Sequence, residues 1–308
     1  MERPEPGLRL VRAPNPSPMT HTGTNTWIVG EGAVAVIDPG PDLPAHLAAI
    51  EAALAPGERV AHILVTHAHR DHSALARLLA RRWGAPVRAA GDMAARRRPV
   101  MARLAAEGAI GGGEGVDGDF APDAPLEEGE AVEGPGWRLE AVATPGHTAD
   151  HLAFAWGDAV FTGDHAMGWA SSLVSPPDGD LVAFMESCRR LAARGARVLY
   201  PGHGASVEDP AGRLAWLIAH RQSRESQILA ALEHAPATPA TLAARIYRDT
   251  PPSLMPAATR NVLAHLVALA ETGRVTAAPA LSAEAVYALR DAAENARSPS
   301  GRPPDRLV

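Results

Sequence analysis

"THAHRDH", residues 66–72, follows the apolar run "AHILV" and packs His67, His69, Asp71 and His72 into seven positions. The preceding run is short and apolar, so it reads as a buried strand. His67 and His69, two apart in extended chain, point to one side and can share a single ion. Asp71 and His72 enter the helical pattern that follows, where the backbone turns and aims them toward a second ion beside the first. Four such groups at a strand end read as a metal site rather than as buried structural histidines.

Three later stretches supply partners. "TPGHTADH" places His147 in a tight turn, "FTGDH" places Asp164 after an apolar run, and "YPGHG" places His203 after another. Each lies at the carboxyl end of an expected strand, where open sheets carry ligand-binding groups. Neighbouring glycine and proline fix turns that keep the side chain outward. Imidazole and carboxylate together suit zinc, with manganese or iron as alternatives. Two ions about 3.5–4 Å apart can share a hydroxide and clamp an attacked centre. No serine or cysteine nucleophile is then required.

The rest of the chain bounds the reading. At 308 residues it can hold one large domain or a large and a small one. The net charge is −6 and all 29 basic residues are arginine, which excludes a lysine nucleophile, Schiff base or phosphate-loop lysine. A net acidic chain does not attract nucleic acid in bulk. Cys188 is the only cysteine, and it reads as a small core residue on an amphipathic helix. No stretch reads as a membrane span, and the first residues, "MERPEPGLRLVRAPNP", carry no apolar signal segment, so a cytoplasmic protein without membrane partners is expected.

Strand patterns alternate with helical ones through residue 208, which predicts an α/β sandwich with its chemistry on loops. "NTWIVGEG" and "AVAVIDPG" read as a hairpin, Leu43 to Leu54 as a helix, and "DHSALARLLARRWG" as one helix stopped by glycine. Residues 92–134 carry arginines 96, 97, 98 and 103, then a glycine-rich acidic stretch; these read as a solvated insertion or flap. Residues 209–280 read as one long helix and two shorter ones, and 281–308 as a short helix and a disordered tail.

The set Asp38 in "IDPG", "THAHRDH", "TPGHT", "FTGD" and "PGHG" resembles the metallo-β-lactamase superfamily over about the first 205 residues, which implies an αββα sandwich. By that resemblance His67, His69 and His147 hold one metal, Asp71, His72 and His203 hold the other, and Asp164 bridges them. Asp71 adds an orienting or proton-handling role, and Asp38 supports the site. The resemblance also implies that Asp164 is out of place in a true β-lactamase, which lacks a bridging aspartate there. His151 and His165 neighbour the ligand loops as candidate substrate contacts, and His21 is a candidate to line the cleft.

The C-terminal part, with "HRQSRE" at 220–225 and the helices "TPATLAARIY" and "PAATRNVLAHLVALAETGRV", resembles the winged-helix extension of the β-lactamase-like protein 2 family. That resemblance implies a metal-dependent endoribonuclease on single-stranded RNA. Arg245, Arg248, Arg260 and Arg274 face only Asp249 and Glu271 across residues 236–280, but the helix from Pro256 offers just Arg260, Asn261 and His265 as polar readers. A sequence-specific DNA reader needs a denser basic face; a scaffold beside the cleft is the expectation. The reading is therefore a two-zinc hydrolase acting on a phosphodiester, such as single-stranded RNA, or on a small (thio)ester. A glyoxalase II-like thioesterase and a mononuclear iron persulfide dioxygenase are the alternatives.

Overall fold

Period-two alternation in the apolar strands sets the architecture. In the computed structural model, which describes residues 1–290, six strands form one sheet in chain order: β1 (Leu8–Arg12), β2 (Asn25–Val29), β3 (Ala33–Ile37), β4 (Arg59–Leu64), β5 (Val87–Ala89) and β6 (Ala124–Pro125). Successive side chains on a strand face opposite sides, and both sides are buried here. Trp27, Val29, Ala35 and Ile37 enter one core, whereas Ile28, Val34 and Val36 enter a second. The expected hairpin is the antiparallel β2–β3 pair. β1 falls in a segment whose proline and charge give no strand signal.

Helices α1 (Pro44–Ala53), α2 (Arg70–Ser73) and α3 (Ala76–Trp83) cover that sheet; Ile50, Ala76 and Leu79 fill the second core. The single helix expected after "THAHR" is broken. The Leu75 amide donates to the carbonyl of Gly40 at 3.2 Å instead of continuing the helical ladder, which separates α2 from α3. Gly84, with φ of 64°, ends α3 as the sequence predicts.

The segment 92–134 is not a merely solvated insertion. It contains α4 (Met93–Arg96) and α5 (Pro99–Glu107), and it buries Met101, Leu104 and Ile110. Its glycine-rich part lies on the histidine motif: the Arg70 amide donates to Gly115 O at 2.9 Å and the Asp117 amide to Ala68 O at 2.7 Å.

The second sheet holds β7 (Ala131–Gly134), β8 (Trp137–Ala143), β9 (Leu152–Trp156), β10 (Ala159–Gly163) and β11 (Val198–Pro201), in the order β11-β10-β9-β8-β7. Leu139, Phe154, Phe161 and Tyr200 share a core with Trp27 and Ile37, so the two sheets pack face to face. Helix α6 (Leu181–Arg194) begins at Asp180, whose carboxylate accepts from the amides of Val182 and Ala183.

The chain divides into two compact units, Met1–Gln222 and the remainder from Ser223. The long helix is present as α7 (Pro210–His234). A boundary near residue 208 thus falls at the start of this helix, and the division lies inside it. The second unit contains α8 (Pro239–Ile246), capped by Thr238, and α9 (Met255–Glu271). Val262, Leu263, Leu266, Val267 and Leu269 are buried as their spacing predicts, and so is His265, which removes it as a base reader. The unit is not all helical: β12 (Val275–Ala278) and β13 (Val286–Leu289) form an antiparallel hairpin. β13 occupies part of the stretch where a short helix is expected, because Tyr287 is buried and exchanges two backbone hydrogen bonds with Ala237. Residues 291–308, with the expected tail, lie outside the described residues. Among the described residues no helix is long and apolar enough to cross a membrane.

Candidate metal centre

The ends of β4, β8, β10 and β11 bring all seven sequence-predicted ligands together. Three overlapping groups have their donor atoms within 4.8 Å of one another: His67, His69 and His147; His67, His72 and Asp164; and Asp71, His72 and His203. His67 Nε2 lies 2.9 Å from His69 Nδ1, and His147 Nε2 lies 3.0 Å from the same atom. His72 Nε2 and His203 Nε2 are 3.3 Å apart. Asp164 divides its oxygens between the groups. Oδ1 is 3.4 Å from His72 Nε2 and 3.3 Å from His203 Nε2, whereas Oδ2 is 3.8 Å from His147 Nε2.

The far sides of four of the five rings are also engaged. His147 Nδ1 donates to Leu173 O at 2.7 Å and His203 Nδ1 to Gly23 O at 3.3 Å, which turns each Nε2 inward. His72 Nδ1 meets Asp38 Oδ2 at 2.9 Å, and His67 Nδ1 meets Thr66 Oγ1 at 2.9 Å. Asp38 also accepts from the Thr66 amide at 2.8 Å, tying the end of β3 to the end of β4. It does so with φ of 50°, a conformation disfavoured for a residue with a Cβ. Two glycines make room. A Cβ on Gly202 would lie 2.6 Å from Asp164 Oδ1 and from His72 Cε1, and one on Gly163 would lie 2.7 Å from Thr66 Oγ1.

Two supporting residues escape the sequence reading. Asp150 is buried and its Oδ2 accepts from the Ala68 amide at 3.0 Å, clamping the backbone between His67 and His69. Its only sequence signal is an acid between the histidines of "HTADH". Asn25 donates to Pro201 O at 3.0 Å and Gly204 O at 2.9 Å, holding the "PGHG" loop; nothing in "TNTW" announces that role.

The electrostatics separate the two groups. Burial, reinforced by the other imidazoles, holds His67 well below its ordinary pKa and His69 at about 3, so these rings are neutral. Burial also lowers His147. Burial opposes charge on His72 and His203 as well, but Asp71 and Asp164 outweigh it; they raise His72 well above its usual range and His203 to about 9. Burial works against the Asp164 carboxylate too, yet His203 and His72 hold it ionised.

The donor set fits a metal. Asp164 Oδ1 is buried and accepts no hydrogen bond, although two rings stand within ion-pair distance. The neutral rings of His67, His69 and His147 and the ionised Asp164 carboxylate are already in the states that metal ligation needs, whereas His72 and His203 would each give up a proton to an ion.

A family model described as the metallo-β-lactamase superfamily matches residues 19–203. The chain belongs to the metallo-β-lactamase superfamily. A second model, the β-lactamase-associated winged-helix domain, matches residues 238–280. Three curated relatives illustrate the similarity. The lactamase-like protein nscB of Trichophyton rubrum is 31% identical over 230 residues, which is 73% of this chain and 63% of that protein. The match thus spans less than two thirds of that relative's own length. The β-lactamase-like protein 2 homologue of Drosophila melanogaster is 29% identical over 275 residues, 85% of this chain and 87% of that one. An atrochrysone carboxyl ACP thioesterase of a Cryptosporiopsis species is 30% identical over 237 residues, 76% of this chain and 65% of that one. Among solved structures, a metallo-β-lactamase family protein of Thermus thermophilus has a TM-score of 0.74 at 30% identity, covering 93% of this chain and 99% of that one.

Other candidates in this superfamily member stand apart from the centre. His151 and His165 are buried, with His151 stacked on His67 and His165 beside Cys188 Sγ at 3.4 Å. Both rings are as deeply buried as that of His67. His21 is exposed and stacked on Trp169, with ring centroids 4.8 Å apart. The arginine cluster is already engaged: Arg96 pairs with Glu127 at 2.5 Å, Arg97 with Asp178 at 2.6 Å and Arg98 with Asp180 at 2.9 Å.

Proposed function

We propose that this metallo-β-lactamase-fold hydrolase cleaves a carboxylic (thio)ester with two zinc ions. His67, His69 and His147 would hold one ion, Asp71, His72 and His203 the other, and Asp164 would reach both. The observation that carries the dinuclear reading is the split of the Asp164 oxygens between the two groups. Bound zinc supplies a Lewis acid for the carbonyl oxygen and brings the pKa of water near neutrality. The protein's own residues do the rest. Leu173 and Gly23 fix the His147 and His203 rings, and Thr24 Oγ1, 3.3 Å from Asp71 Oδ2, steadies that carboxylate. The Asp71 side chain, 30% exposed, is the most open carboxylate of the set, and it orients the attacking water and takes its proton.

Ester is favoured over phosphodiester because Arg96, Arg97 and Arg98, the densest cations in this part of the sequence, are paired with carboxylates. A phosphate backbone needs cations of its own. The thioesterase among the relatives supports the same reading. The test is a zinc-reconstituted enzyme offered short acyl thioesters, with thiol release measured, and a single-stranded RNA in parallel. Metal-dependent thiol release is expected. RNA cleavage without thiol release would move the substrate to the phosphodiester class.

A further inference from the structure

We infer that Arg221 is a positioning residue for the metal centre, acting through Ser172 on the turn that presents Asp164. The "HRQSRE" run lies on α7, where an arginine would ordinarily extend into water. Arg221 is instead 1% exposed. Taking a guanidinium out of water is costly, and an apolar residue of similar volume would fill the space more cheaply. What such a residue could not do is donate hydrogen bonds.

Arg221 Nη2 donates to the carbonyl oxygen of Ser172. The Ser172 hydroxyl in turn reaches the carbonyl oxygens of Asp164, at 2.5 Å, and His165, at 2.8 Å. Three links therefore join the buried cation to the backbone from which the shared carboxylate projects. A second contact serves the opposite ligand. Arg221 Cζ lies 5.2 Å from the centre of the Phe184 ring, over its face. Phe184 supports the His147 turn, since a Cβ on Gly146 would meet Phe184 Cβ at 2.6 Å, and its ring lies 4.5 Å from that of His165. Arg221 thus underlies the two turns that carry Asp164 and His147, without touching either side chain in these contacts.

The test compares Arg221→Met, Arg221→Lys, Ser172→Ala and the Arg221→Met/Ser172→Ala double variant in the full chain. Zinc affinity is read by chelator competition, Tm on the chelated protein, and kcat and KM on a thioester. Arg221→Met should weaken zinc about 10–100-fold and lower kcat with KM little changed, whereas Arg221→Lys should recover part of both. Ser172→Ala should weaken zinc in the same direction. The double variant should be no worse than Arg221→Met, because the two residues act on one path. Wild-type zinc affinity in Ser172→Ala, or independent multiplying effects in the double variant, would overturn the inference. Should Arg221→Met fail to fold, Ser172→Ala, which keeps the cation, decides alone. The inference rests on the dinuclear reading, but the zinc arm needs no substrate. A failed thioesterase assay and a failed positioning role therefore give different results.

Discussion

Asp38 Oδ2 lies 2.9 Å from Nδ1 of His72, and Asp38 keeps that contact from a backbone φ of 50°. The carboxylate orients the ring and makes Nε2 a stronger ligand, while its other oxygen holds the Thr66 amide. Asp38→Ala should leave a folded protein whose metal affinity falls about 10–100-fold. Chelator competition measures this, and unchanged affinity would remove Asp38 from the site.

Metal binding should release protons. His203, raised to about 9, and His72, raised well above its ordinary range by Asp71 and Asp164, should both carry a proton at pH 7 in the metal-free protein. Ligation requires neutral rings, so an ion entering beside Asp71 displaces about one to two protons. A raised pKa means that the proton competes below it. Affinity should therefore rise with pH up to about 9 and fall as pH drops. Zinc titration calorimetry in two buffers of different ionisation enthalpy reads the release, and buffer-independent heats would contradict it.

The Arg97–Asp178 pair should be a stability element. Both side chains are largely buried, at 16% and 7% exposure, and Asp178 also accepts from the Gly113 amide. Arg97→Ala should cost about 1–3 kcal/mol, seen as a lowered Tm. The salt dependence of any RNA binding should stay as in wild type, since each lost phosphate contact would otherwise reduce that slope. A flattened slope with an unchanged Tm would return Arg97 to the substrate site.

The ligands were legible in the sequence because each sits in a short string whose meaning is local: a strand end, a glycine or proline turn, then the donor. His147, Asp164 and His203 have that form, and His67 follows its strand directly through Thr66. Their supports were not legible, since Asp150 to Ala68 and Asn25 to Gly204 are contacts between distant parts of the chain. The same cause broke one expected helix at Leu75, where a bond to Gly40 overrides helical spacing. It also buried part of the 92–134 segment, whose charge and glycine content suggest only solvation. The hairpin β12–β13 was hidden in short, weakly alternating runs.

β-Lactam hydrolysis should be poor. Asp164 fills the "FTGD" position with a carboxylate shared between two ligand groups, and Cys188, the only cysteine, is buried beside His165 away from the donors. Nitrocefin kcat/KM should stay well below about 10⁴ M⁻¹s⁻¹. A value at or above it would refute this.

Asp164 stands between the two ligand groups, with Oδ1 facing His203 at 3.3 Å and Oδ2 facing His147 at 3.8 Å, and in the dinuclear reading it joins two metal sites. Elemental analysis of zinc-reconstituted wild type and Asp164→Ala, with thioester turnover on the same samples, tests it most directly. Wild type should hold about two ions per chain. Asp164→Ala should fold, lose metal and drop at least about 100-fold in turnover. Two ions and near-normal turnover in Asp164→Ala would contradict that reading, as would a wild type that holds a single iron and consumes oxygen.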